Sequence, residues 1–239
     1  MNTIYKICGV GVVAAVLASG AYADEMAIRL GLGGLYGNYK SSVSGSDYTN
    51  KGGYLTILGR GITNDSRFLT EGGGDIALGS YTAGGQSGSM GHSDILFNIG
   101  YNLLSEAHPL YLKLEYNYTN FSEKLTQNRF STSLHQIGVG VLGFIPTAGK
   151  LRYEYSAGYY YIPAAAHYMG DTSSALDGYS YALKAHMGLS YQASEKLGYF
   201  MNLKAKYYDL ARSKLGENLS YPASQNLVGM LEVGVQFGL

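Results

Sequence analysis

Apolar and polar side chains alternate one by one along most of this chain. Between residues 151 and 161, Leu151, Tyr153, Tyr155, Ala157, Tyr159 and Tyr161 take the odd positions, and Arg152, Glu154, Ser156 and Gly158 fall between them. The pattern returns as Tyr181, Leu183, Ala185, Met187 and Leu189 against Ser180, Lys184, His186, Gly188 and Ser190. It returns again as Leu110, Leu112, Leu114, Tyr116 and Tyr118 against Lys113, Glu115, Asn117 and Thr119. A β-strand sends successive side chains to opposite faces, whereas a helix gathers residues three and four apart and would mix the two sets. The spacing predicts strands near 26–40, 53–62, 68–81, 93–104, 110–120, 132–145, 149–163, 177–192, 197–210 and 226–239. The second and third are the least regular. Glu71-Gly72-Gly73-Gly74 interrupts the third, and its glycines read as a bulge or a barrel corner. Ten strands are expected, or eight if that pair does not span.

The links between strands alternate in length. Short polar links fall near 63–67, 105–109, 146–149 and 193–196, and longer ones near 41–52, 82–92, 121–131, 164–176 and 211–225. Short turns at one end and long loops at the other are the habit of transmembrane barrels, which have an even strand number when both termini lie at the short-turn end. The expected fold is all-β: an antiparallel, up-and-down transmembrane β-barrel with five loops at one end. Alternation alone does not say which face looks out, since a soluble barrel around a greasy cavity has the opposite sense. Tyr116, Tyr118, Tyr159, Tyr161, Tyr179 and Tyr181 cluster at strand ends, where an amphipathic ring suits a lipid–water interface. Glycine and small residues recur on the charged face, which suits a crowded interior. Both features turn the apolar face toward lipid.

Composition refines this picture. The 239 residues include 34 glycines and 24 tyrosines but only four prolines and no tryptophan, a balance that favours strands and turns. Lys6, the apolar run Ile7 to Ala18 and Ala21-Tyr22-Ala23 read as a secretory signal cleaved after Ala23. The expected division is therefore a signal peptide at 1–23, with export through the Sec pathway, and a barrel at 24–239. Cys8, the one cysteine, lies inside that signal, so the mature chain has no disulfide and no thiolate metal site. Formal charge balances at 17 basic and 17 acidic residues, which argues against nucleic-acid binding. No segment after the signal is apolar over the length a spanning helix needs, so a membrane crossing requires a closed barrel, the form that satisfies every backbone group in lipid.

The charged face carries Arg29, Arg60, Asp94, Lys113, Glu115, Arg152, Glu154, Lys184, Lys204, Lys206 and Glu232. Narrow barrels are filled by side chains, so these residues are expected to form an internal ion-pair network; a charge-lined pore is the alternative. His108 is placed in a short turn, His92 and His167 in loops at the other end, and His186 inward. His92-Ser93-Asp94 has the residue types of a catalytic triad, but neighbours in a strand face opposite ways. The glycine-rich stretches 71–75 and 82–91 lack the Gly-Lys-Ser/Thr ending of a phosphate loop. No catalytic, cofactor or metal site is expected. Lys40, Lys51, Lys124, Arg129, Arg212 and Lys214 fall near the outer rim, either as solvated charge or as contacts to lipopolysaccharide phosphates.

The chain resembles the small outer-membrane β-barrel proteins of Gram-negative bacteria, the broad OmpX/OmpW/Opa-like group. The resemblance is most specific at Leu231, Val233, Val235, Phe237 and Leu239, which look like the alternating C-terminal signal read by the barrel-assembly machinery. It departs from that pattern at Leu239, where the group usually ends in Phe. The resemblance implies residence in the outer membrane, with lipid, lipopolysaccharide and the assembly machinery as partners. The expected role is structural or surface recognition and adhesion, by a monomer that meets a host or cell-surface ligand through its loops and is not an enzyme. The alternatives are a small porin-like channel and an outer-membrane lipid-modifying enzyme or protease.

Overall fold

A computed structural model of the protein describes residues 25–63, 65–125, 128–147, 149–170, 172–213 and 221–239; the signal at 1–23 lies outside them. The elements are β1 (Glu25–Ser41), β2 (Tyr48–Ile62), β3 (Phe68–Ala83), β4 (Gln86–Asn102), β5 (Leu110–Leu125), β6 (Asn128–Pro146), β7 (Leu151–Met169), β8 (Thr172–Ala175), β9 (Tyr181–Gln192), β10 (Leu197–Leu210) and β11 (Ser224–Gly238). Neighbours around the ring pair antiparallel. β8 and β9 both pair with β7, at different heights, and together fill the eighth place. β11 closes on β1 from Ala27 opposite Gly238 to Ser41 opposite Ser224. The result is a closed, ten-stranded, up-and-down barrel.

Two expectations at the element level need correction. The glycine run in β3 is not a bulge: β2 pairs with β3, and β3 with β4, without a shift in register. The register shift sits instead between β6 and β7, where His135 faces Ala164 but Ile137 faces Tyr161. That leaves Pro163 in the bulge, where its missing N–H breaks no ladder bond. The outer links are also shorter than expected. Gly84 and Gly85, at φ of 52° and 81°, make a two-residue turn that needs the left-handed region at both positions, so 82–92 is almost entirely hairpin. Pairing likewise runs to Leu125 opposite Asn128 and to Met169 opposite Thr172. Above the membrane the outward face turns polar while rings and aliphatic side chains take inward places, so the apolar-outward alternation stops where pairing continues.

The barrel wears its apolar face outward. Leu55 is 67% exposed and Tyr153 50%, whereas Glu154, beside Tyr153 in sequence, is 4% exposed. On β5 the apolar outward run extends from Leu110 to Tyr118 and gives way to Asn120, Ser122 and Lys124, a span that suits the ~9–11 residues a tilted strand needs to cross lipid. Inside, three layers are stacked. Leu69, Tyr111, Leu142 and Phe144 pack at the short-turn end. A second apolar cluster, including Leu35, Met90, Phe121, Leu134, Ile162, Tyr208 and Met230, fills the outer half. Between them lies a slab of charge.

Candidate functional site

The slab is built by strand parity: inward positions of nine strands bring charge to one level. Glu154 on β7 is its centre. Arg29 donates through Nη1 to Oε1 at 3.1 Å and through Nη2 to Oε2 at 2.9 Å. Arg60 donates in the same two-pronged way at 2.8 and 2.9 Å, and His186 Nε2 lies 2.9 Å from Oε1. Planar guanidinium forks match a carboxylate's geometry and hold it in one orientation. Arg60 also donates from Nε to Glu71 at 2.7 Å, directly across the β2–β3 ladder. Lys113 continues the chain, 3.6 Å from Glu71 and 3.1 Å from Glu115, while Asn98 and Asn117 donate to Glu71 and Glu115 at 2.9 and 2.7 Å.

A second group lies alongside. Asp75 and Asp94 face each other across β3 and β4, an arrangement that repels unless cations answer it. Lys206 Nζ bridges them at 3.1 and 2.5 Å. Lys204 reaches Asp75 at 3.4 Å and Glu232 at 2.9 Å, and Lys184 lies 3.8 Å from Asp94. Thr119 donates to Asp94, and Gln136 donates to Thr119 at 2.6 Å. A β-carbon at Gly31 would collide with the Glu232 carboxylate, so glycine at that position makes room for it. Arg152 is in no ion pair among the described residues; its guanidinium lies over the Phe144 ring at 4.7 Å, sharing it with Arg60 at 5.0 Å. A cavity of about 120 Å³ is left between these groups.

All eleven charged residues singled out from the sequence face the lumen. Glu71 and Asp75 belong with them and were missed, because the surrounding glycines hid their parity; counting by twos through the run places both inward. His92 and His167 sit in strands, not loops, and are buried inward. His92 packs on the Phe121 ring, and His167 pairs with Thr132 Oγ1 at 2.7 Å and stacks on Tyr221 at 3.8 Å. Ser156 lies opposite His186 in the β7–β9 register, but no hydrogen bond joins them among the described residues. No group of three or more His, Cys, Asp or Glu suited to a metal ion occurs among the described residues.

At the outer rim, Lys40, Lys51 and Lys124 project outward from β1, β2 and β5 and are exposed, as is Arg212 between β10 and β11. The Arg129 side chain and Lys214 lie outside the described residues. On β11, Leu231, Val233 and Phe237 look out to lipid, Val235 is half-buried, and the Leu239 amide donates to Met26 O at 2.9 Å beside the seam.

No protein-family model and no curated protein matches the sequence. Among solved structures, the chain is similar to the outer-membrane protease OmpT of Escherichia coli, with a TM-score of 0.62 at 10% identity over 90% of this chain and 97% of that one. It also aligns with the translocator domain of the autotransporter NalP from Neisseria meningitidis (TM-score 0.48, 15% identity, 98% and 95% covered). A third alignment is with Neisserial surface protein A (TM-score 0.42, 14% identity, 88% and 97% covered). The likeness to OmpT is one of fold: this chain has the architecture of an outer-membrane β-barrel.

Proposed function

We propose that this protein is a monomeric, non-enzymatic resident of the bacterial outer membrane, exported through the Sec pathway. Its barrel is a filled anchor, and its outer hairpins make the functional contacts, in a structural or surface-recognition role. The observation that carries this reading is the lumen. A carboxylate clamped by two arginine forks, with apolar layers above and below, leaves about 120 Å³ and supports a plug rather than a pathway. Contact chemistry then belongs to the rim, because the remaining surface faces lipid. Purified protein in a planar bilayer should give no reproducible single-channel steps; regular steps would replace the plug with a channel.

The cationic rim suits lipopolysaccharide, whose phosphates accept charge-assisted hydrogen bonds. Lys40, Lys51, Lys124 and Arg212 point into the headgroup region or the solvent beyond it. Replacing them together with glutamine, along with Arg129 and Lys214, should lower the lipopolysaccharide that co-purifies; unchanged retention removes that partner. The outward apolar run of β11 supports delivery by the barrel-assembly machinery, and the hairpin tips remain free to meet a cell-surface ligand.

A further inference from the structure

Each carboxylate of the charged slab has a cation within ion-pair distance: Glu71, Asp75, Asp94, Glu115, Glu154 and Glu232. Glu123 does not. It points inward from the outer end of β5, beyond the apolar run that stops at Tyr118, and is 8% exposed. Among the described residues no Lys, Arg or His pairs with it; the Tyr48 hydroxyl donates to Oε1 at 3.0 Å. Tyr48 touches it, and its charge acts on Tyr39, Tyr81 and Tyr221 nearby. The rings of Tyr39 and Tyr48 stack at 4.2 Å, and Tyr81 meets Tyr48 edge-on at 5.7 Å. Burial, and in addition the Glu123 charge, hold the phenol protons of Tyr39, Tyr81 and Tyr221. Asp47, in the β1–β2 link, adds negative charge near Tyr39.

A carboxylate taken out of water needs a counter-charge, and the faces of aromatic rings attract cations. Four tyrosines around one carboxylate with no cation partner among the described residues make a cup that rejects anions. Tyr48 and Tyr221, half-buried, stand at the outer mouth. We propose that Glu123 with Tyr39, Tyr48, Tyr81 and Tyr221 is a binding site, reached from the cell exterior, for an alkylammonium group. The carboxylate supplies the charge partner and the rings supply cation–π contact. Two sources share this chemistry: a quaternary ammonium headgroup, and a primary amine on a lysine side chain or polyamine.

Burial pushes the Glu123 carboxyl up to about 7. The other titratable groups nearby are the four phenols, Asp47, His92 and His167; burial lowers both histidines to about 4. Proton and ammonium therefore compete for Glu123.

The test is titration calorimetry on the full barrel in detergent with tetramethylammonium, propylammonium and the neutral tert-butanol. One or both ammonium ions should bind and tert-butanol should not; the tighter ion identifies the source. Glu123→Gln should weaken binding about tenfold or more, and lowering the pH from about 8 to about 6 should weaken it in the unmodified protein. Tyr48→Phe keeps the ring and should retain binding, whereas Tyr48→Leu should lose it. If Glu123→Gln does not yield a folded barrel, Tyr81→Leu and the pH series carry the comparison. Absence of binding by either ion, or binding indifferent to Glu123 and to pH, overturns the proposal. None of these outcomes depends on whether the lumen conducts.

Discussion

Lys206 and Arg152 both carry a positive charge into the same lumen, yet their loss should have opposite consequences. Lys206 is the bridge between Asp75 and Asp94, so Lys206→Met leaves two facing carboxylates short of a cation; breaking a buried pair this way costs about 3–5 kcal/mol. Arg152 has aromatic contact but no ion pair among the described residues, so Arg152→Met should change stability by less than ~1 kcal/mol. Denaturant midpoints of the two variants should differ accordingly, and equal shifts would show that the lumen does not distinguish paired from unpaired charge. Glu123 makes a third residue-level prediction. Its folded-state carboxyl, raised to about 7, binds protons more tightly than an unfolded one at ~4.5. Its stabilising share is full below the unfolded value and is lost as pH rises through about 7. Amide protection factors at the outer ends of β2 and β5, with the intrinsic pH dependence of exchange divided out, should fall over that window, and Glu123→Gln should abolish the trend. Parity along each strand made most lumen residues legible in the sequence. Their partners were not: Arg29 and Glu154 are 125 residues apart, and which charge meets which depends on register around a closed ring.

At the level of elements, the lipid-facing part of the strands was readable, and in β2, β4, β5, β6 and β7 the outer part was not. Strand β5 was expected to end at 120 but pairs as far as 125; Asn120, Ser122 and Lys124 take the outward places above the lipid, so the apolar-outward pattern that marked the strand ends before the pairing does. The site at Glu123 falls in this stretch and was missed for that reason. Glycine misled in the other direction: β3 is continuous through Gly72, Gly73 and Gly74, while the real irregularity is marked by Pro163. Two substitutions test these assignments. Leu231→Arg, on the lipid face of β11, should destabilise the barrel by about 2–4 kcal/mol if it lies near the bilayer midplane, whereas arginine at the outer position Gln225 should cost little. A smaller penalty at Leu231 than at Gln225 would invert the proposed depth of β11.

Taken whole, the molecule separates its chemistries by layer: lipid-compatible side chains outside, salt-linked ones inside, and apolar caps above and below the ions. Such a barrel should hold together in cold detergent and run on a gel at a different position from its boiled form; coincidence of the two bands would contradict a stable closed ring. The seam between β1 and β11 has a further consequence. Its partners, Ala27 with Gly238 and Ser41 with Ser224, come from opposite ends of the described chain. Every other ladder joins strands that follow closely in sequence, so nine-tenths of the wall can zip up hairpin by hairpin, while the last ladder must wait for a contact of maximal chain separation. Until that moment the sheet has two raw edges, each able to recruit a stranger's strand. A chain halted after Leu210 would keep both edges indefinitely, which makes the final strand the piece whose timing decides between a finished cylinder and an aggregate.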